Sequence, residues 1–100
     1  MKVEYSPLAR EDLRDILEYG HQHWGAAAAY DFIAKLEKNF ELFTQNPQAG
    51  RRLKNPHLTD ADGEIRCFGF GNYQIVYEPL AKQIIIHGII PKDRPRAGST

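Results

Sequence analysis

The spacing of apolar and polar positions changes period twice along the chain, and those changes divide it into elements. Lys2-Val3-Glu4-Tyr5 alternates as a short strand does. Ser6-Pro7 then sets a good N-cap residue ahead of a proline suited to the first helical position. From there Leu13, Ile16, Leu17, Gly20 and Trp24 recur at three- and four-residue steps, with Arg10, Asp12, Arg14 and Glu18 falling largely elsewhere. Gly25 interrupts this stripe. A second stripe of Ala29, Phe32, Ile33, Leu36, Phe40 and Phe43 runs on until Asn46-Pro47 stops it. The pattern predicts a helical hairpin, in which Gly20 and the alanines from Ala26 to Ala29 are small enough to let the two backbones approach.

From Pro47 to Gly63 the composition turns to Pro, Gly, Asn, Asp and Arg, which predicts a long surface loop with little structure of its own. Three strands are expected after it, over Glu64 to Phe70, Tyr73 to Glu78 and Gln83 to Ile90. Their connections, Gly71-Asn72 and Pro79-Leu80-Ala81-Lys82, are short, so the strands form an antiparallel meander. The expected fold is α+β: a short N-terminal strand, a two-helix hairpin and a three-stranded antiparallel meander, with the helices packed on one sheet face. Residues 1–91 are expected to form a single domain, and residues 92–100 a polar tail that frays.

Two helices from one hairpin can cover only one side of such a sheet, so the apolar content of its other side is informative. Alternation puts Ile65 and Cys67 on one face and Phe68 and Phe70 on the opposite one. In the last strand, Ile84, Ile86 and Ile90 oppose Ile85 and Ile89. Both faces read as apolar, and the excess predicts a partner that lays an amphipathic segment on the uncovered side.

Composition narrows the function. The chain has 100 residues, 42% of them hydrophobic, enough for one core and too few for a second domain. Its single cysteine, Cys67, cannot form an internal disulfide, and no Cys/His pair has zinc-site spacing. Neither a signal-peptide core nor a membrane-spanning run is present, so a cytoplasmic location is expected. Thirteen basic and thirteen acidic residues give a formal net charge of zero, which argues against general cationic attraction to nucleic acid or anionic lipid. The charge is nonetheless segregated. Glu11, Asp12, Asp15 and Glu18 share the first helical stretch, Arg51, Arg52 and Lys54 make a basic loop, and Lys92, Arg94 and Arg96 a basic tail.

Several pieces together resemble the ParE branch of the ParE/RelE toxin superfamily. They are Tyr5-Ser6-Pro7-Leu8-Ala9 with Asp12-Leu13 and Ile16, then His23-Trp24-Gly25, Asn46-Pro47 with Gly50-Arg51, Ile65-Arg66, Phe68-Gly69-Phe70-Gly71-Asn72-Tyr73 and Ile75-Val76-Tyr77. The likeness extends from the first strand to His87-Gly88. It implies a two-helix hairpin packed on a small antiparallel sheet, and a toxin encoded with a ParD-like antitoxin of the ribbon-helix-helix type. It also implies inhibition of DNA gyrase by binding, whereas RelE relatives cut messenger RNA on the ribosome. One fold carries both activities, so the fold does not choose between them.

Cleavage at a ribose 2′-hydroxyl needs a base, cationic groups for the phosphate and an acid for the departing oxygen. The candidates here are His87, Arg66 and Lys92, but His87 faces with Ile85 and Ile89 inside an apolar strand, where packing is the commoner role. No catalytic residue is therefore assigned. His21 and His23 stand about 200° apart around a helix and cannot share an ion, so no metal or cofactor site is assigned either. Cys67 reads as a small buried apolar residue, and Trp24, Tyr30 and Phe40 as packing residues. The expected target-binding groups are Arg51, Arg52, Lys92, Arg94 and Arg96. The expected antitoxin-binding groups are Phe68, Phe70, Ile85 and Ile89 with Arg66, whose planar fork suits loop carbonyls or a partner's carboxylate.

Overall fold

The structure, a computed structural model, describes residues 1–53 and 64–93. Strand β1 (Lys2–Tyr5) leads into helix α1 (Pro7–His23) through Ser6. The Ser6 hydroxyl accepts the Ala9 amide proton at 3.1 Å and donates its own to the His87 carbonyl at 3.1 Å. The cap thus satisfies one free helix donor and also pins the start of α1 to the last strand. α1 ends at Trp24, and Gly25, at φ 91°, makes the joint to helix α2 (Ala26–Gln45) with a backbone that favours glycine. The expected close approach at Gly20 is present. A Cβ there would lie 2.8 Å from that of Ala29, so any larger residue would push the helices apart.

Four strands follow: β2 (Arg51–Arg52), β3 (Arg66–Phe70), β4 (Tyr73–Pro79) and β5 (Gln83–Pro91). The sheet has the order β1-β5-β4-β3-β2. β3, β4 and β5 form the expected antiparallel meander, and β1 joins it parallel to β5, with Val3 opposite Ile84 and Tyr5 opposite Ile86. β2 is an addition to the expected fold. Arg51 and Arg52 pair with Cys67 and Arg66 inside the stretch predicted to be loop, since a two-residue strand is too short to show a period.

The core lies between the helices and one sheet face. Ala9 and Ile16 of α1 and Leu36, Phe40 and Phe43 of α2 meet Ile75, Tyr77, Ile84, Ile86 and Ile89, none more than 5% exposed. Each large side chain buried in this way stabilises the fold by about 1.5–3 kcal/mol before conformational entropy is subtracted.

One irregularity decides which residues face the helices. Tyr77 is opposite Ile86 but Val76 is opposite Gly88, so β5 carries an extra residue, His87. Such a bulge reverses the alternation beyond it, and Ile84, Ile86 and Ile89 all reach the core despite their odd spacing. Asp12 of α1 accepts the Ile89 amide proton at 2.9 Å and holds the strand just past the bulge.

Candidate partner-binding site

At one end of the sheet the chain satisfies its own polar groups. Tyr77 lies flat against Phe43, with ring centroids 4.0 Å apart and planes 7° from parallel. Its hydroxyl donates to the Pro47 carbonyl and accepts the Gly50 amide proton, each at 2.8 Å. Burial pushes the Tyr77 phenol above its usual pKa, with the Gly50 amide pulling the other way. Arg66 completes the anchor. Its Nε donates to Glu64 at 2.6 Å and its Nη1 to the carbonyls of Gly50 and Gln48. Of the two readings of Arg66, loop carbonyls are the one the structure contains, and the fork is committed to its own chain.

The apolar patch expected on the uncovered face is not assembled there. Phe68 packs edge-on to Phe43 at 5.3 Å, Phe70 meets Phe32 at 5.3 Å, and Ile89 is buried in the core. Only Ile85, paired with Glu78, lies on the far face. The cause is twofold: a strand's own period does not say which side the helices choose, and the bulge at His87 moves Ile89 across. By pairing, the far face carries Cys67, Gly69, Gln74, Val76, Glu78, Ile85 and Ile90, a mixed surface rather than a second apolar one.

The catalytic candidates are divided between the two faces. Arg66 is paired with Tyr77 on the helix side, whereas His87 bonds Glu78 at 3.0 Å on the far side. Lys92 lies over Gly69, where an added Cβ would meet its Nζ at 3.3 Å. Burial pushes the Cys67 thiol up despite the pull of Arg51 and Lys92, so it is a poor nucleophile. Of the target-binding candidates, Arg51 and Lys92 are exposed, and Arg52 is exposed but paired with Glu64 at 2.9 Å. Arg94, Arg96 and Lys54 lie outside the described residues.

What sequence reasoning missed lies at the opposite end, where the hairpin tip meets the sheet. Tyr30 is 58% exposed and Trp24 41% exposed, although helical spacing pointed to packing, and Tyr19 is 41% exposed beside Trp24. Trp24 does pack, against Phe32 at 5.4 Å and Tyr19 at 5.8 Å, but one side of it stays open. Tyr19 stacks on His23 at 4.1 Å, and Tyr30 meets His21 edge-on at 5.5 Å.

Two cavities open beside these rings. One, of about 290 Å³, is lined by Asp12, Asp15, Ile16, Tyr19, Tyr73, Ile89 and Pro91. The other, of about 300 Å³, is lined by Trp24, Ala28, Asp31, Phe32, Lys35, Gly71, Asn72 and Tyr73. Tyr73 belongs to both, and the Tyr19–Trp24 contact bridges their outer rims, so they form one groove along the seam between hairpin and sheet. Its lining mixes aromatic rings with polar groups, Asp12 and Asp15 in the first cavity and Asp31, Lys35 and Asn72 in the second.

Comparison with known proteins places the chain in a defined group. The family described as ParE toxin of type II toxin-antitoxin system, parDE, matches residues 3–94. Toxin ParE1 of Caulobacter vibrioides is 30% identical over 69 residues, which cover 69% of this chain and 67% of that protein. A chain of the solved structure described as the chromosomal ParDE TA system from P. aeruginosa has the same fold, with a TM-score of 0.70 and 19% identity. That match covers 91% of this chain and 95% of the other.

Proposed function

Since the chain belongs to the ParE toxin family of type II toxin–antitoxin systems, we propose that it inhibits DNA gyrase by stoichiometric binding and is neutralised by a ParD-like antitoxin. The protein acts in the cytoplasm on this reading, and among its described residues no helix is long and apolar enough to cross a membrane. Membership in a two-component system implies the antitoxin. The choice of a binding mechanism over RNA cleavage rests on one observation: Arg66 is turned to the helix side and spent on loop carbonyls, while His87 and Lys92 lie on the other face.

Base, acid and phosphate-binding cation must converge within hydrogen-bond reach of one ribose phosphate, and a sheet between them prevents it. The exposed Arg51 and Lys92 remain as target contacts, joined in this reading by Arg52, Arg94 and Arg96. Charge there steers association and fixes register more than it adds affinity.

The test is expression without antitoxin. Gyrase inhibition gives damaged DNA, filamentation and early loss of replication, and the purified chain blocks supercoiling by purified gyrase. His87→Gln leaves both effects intact. Rapid translational arrest with cut transcripts, abolished by His87→Gln, would overturn the proposal in favour of the ribosome-dependent nuclease.

A further inference from the structure

The far face of the sheet brings together two exposed cations that are distant in sequence. Arg51 of β2 is paired with Cys67, and Lys92, just past β5, lies over Gly69, two residues further along β3. Positions two apart on one strand face are roughly 7 Å from each other, a span that one oxyanion and its hydrogen bonds can fill. Both charges reach the Cys67 thiol, pulling its pKa down against the larger effect of burial. Gly69 keeps the floor between them open, since a Cβ there would crowd the Lys92 Nζ at 3.3 Å. Gln74, opposite Gly69, adds an amide to the same face. Both stems are held in place. The Lys92 amide donates to the Asn72 carbonyl at 2.7 Å, and Arg51 follows Gly50, whose amide and carbonyl are bound by Tyr77 and Arg66.

The sheet also sorts its charges between its two sides. On the helix side Arg52 and Arg66 share Glu64. On the far side neither Arg51 nor Lys92 forms an ion pair among the described residues, the neighbouring Asp93 included, and Glu78 is bonded to His87. Two uncompensated cations fixed on one face lower their mutual repulsion by sharing an anion. We propose that Arg51 and Lys92 together hold one phosphodiester of the DNA that gyrase binds, with the phosphate oxygens over Gly69. The inference rests on the gyrase reading and adds the ligand at this face. A carboxylate is matched by the fork of a single arginine, whereas the two free oxygens of a phosphodiester accept from donors on separate stems. Zero net charge leaves the chain without the general attraction that free DNA requires, so the contact forms where gyrase already presents the backbone.

The experiment measures binding of the full chain to purified gyrase, with and without a bound DNA duplex, across a salt series. DNA should tighten binding by about tenfold at low salt, and the gain should shrink as salt rises. The double variant Arg51→Gln/Lys92→Gln should lose that gain, keep its affinity for DNA-free gyrase, and flatten the slope of log Kd against log salt by about one to two. Arg51→Lys, which keeps the charge, should retain most of the gain. Lys38→Gln, exposed on α2, should retain all of it. The thermal midpoint of the double variant should match that of the unmodified chain, since both side chains are exposed. Equal affinity of the unmodified chain for gyrase with and without DNA overturns the phosphate contact while the gyrase reading stands. A double variant weakened alike toward both forms also overturns it, because the cations then meet an acidic protein surface. If the unmodified chain binds gyrase in neither form, the gyrase reading itself falls, and this inference with it.

Discussion

Helix α2 crosses two environments. Its C-terminal half contributes Leu36, Phe40 and Phe43, all at most 1% exposed, while its N-terminal half presents Tyr30 at 58% beside Trp24 at 41%. Aromatic content is similar at the two ends, so hydrophobicity alone does not set the difference. The closed end faces the middle of the sheet, where Tyr77, Ile75 and Ile84 meet it, and the segment after Pro47 is tied down over the edge. The open end overhangs the Gly71-Asn72 turn, where the sheet sets Phe70 and Tyr73 against Phe32 and leaves Tyr30 uncovered. The contrast separates residues that hold the fold from residues that stay open to solvent.

Phe43→Ala breaks the closed end and should have the largest effect. It removes the ring stacked on Tyr77 and packed against Phe68, and should cost about 3–5 kcal/mol in denaturant unfolding. For a domain of 100 residues, whose whole stability is about 5–15 kcal/mol, that is a large share. Tyr77→Phe keeps the stack but removes the hydroxyl, stranding the Gly50 amide and the Pro47 carbonyl, and should cost about 1–3 kcal/mol. If Tyr77→Phe proves neutral, water reaches those groups and the closed end is less closed than its exposure values indicate.

The closed end was the more legible of the two in the sequence. Phe40, Phe43 and Leu36 follow from a 3.6-residue period, and Ser6-Pro7, Gly25 and Asn46-Pro47 mark the helix limits where the structure has them. The run Ile84-Ile85-Ile86-His87-Gly88-Ile89-Ile90 is another matter. It is apolar at both parities, so nothing in it reveals a bulge, and the facing of Ile89 was read wrongly in consequence. Phe68 and Phe70 failed for a related reason: alternation sorts residues into two faces without naming the one the helices cover. The groove was illegible because its walls come from residues as far apart as Asp12 and Pro91. The one available signal was a high density of Tyr, Trp and His around Gly25, and helical spacing absorbed it as packing.

At the open end the same kind of truncation should do much less. Trp24→Ala removes contacts with Phe32 and Tyr19 but exposes surface that is already partly wet, and should cost about 1 kcal/mol. Its unfolding midpoint should lie nearer to that of the unmodified chain than to that of Phe43→Ala. A loss as large as that of Phe43→Ala would mean that the hairpin tip is structural, and the division between the two ends would fail.

The smallest effect expected is also the one that depends on pH. Glu64 accepts a hydrogen bond from Arg66 and faces Arg52, and these contacts, the Arg66 bond foremost, hold its carboxyl below the ordinary glutamate range. A pKa lowered by folding means that the folded state binds the proton less readily than the unfolded chain. The stabilisation is therefore fully present above the unfolded value, about 4.3, and is lost as pH falls through the folded one. Glu64→Gln removes the charge at every pH. Thermal melts of the two chains should differ slightly at pH 7 and converge as the solution is acidified below about pH 4, with the unmodified chain the more stable where they differ. Equal separation at both ends of that range would show that Arg66 is held by the Gly50 and Gln48 carbonyls alone, and that the anchor at the closed end owes nothing to the carboxylate.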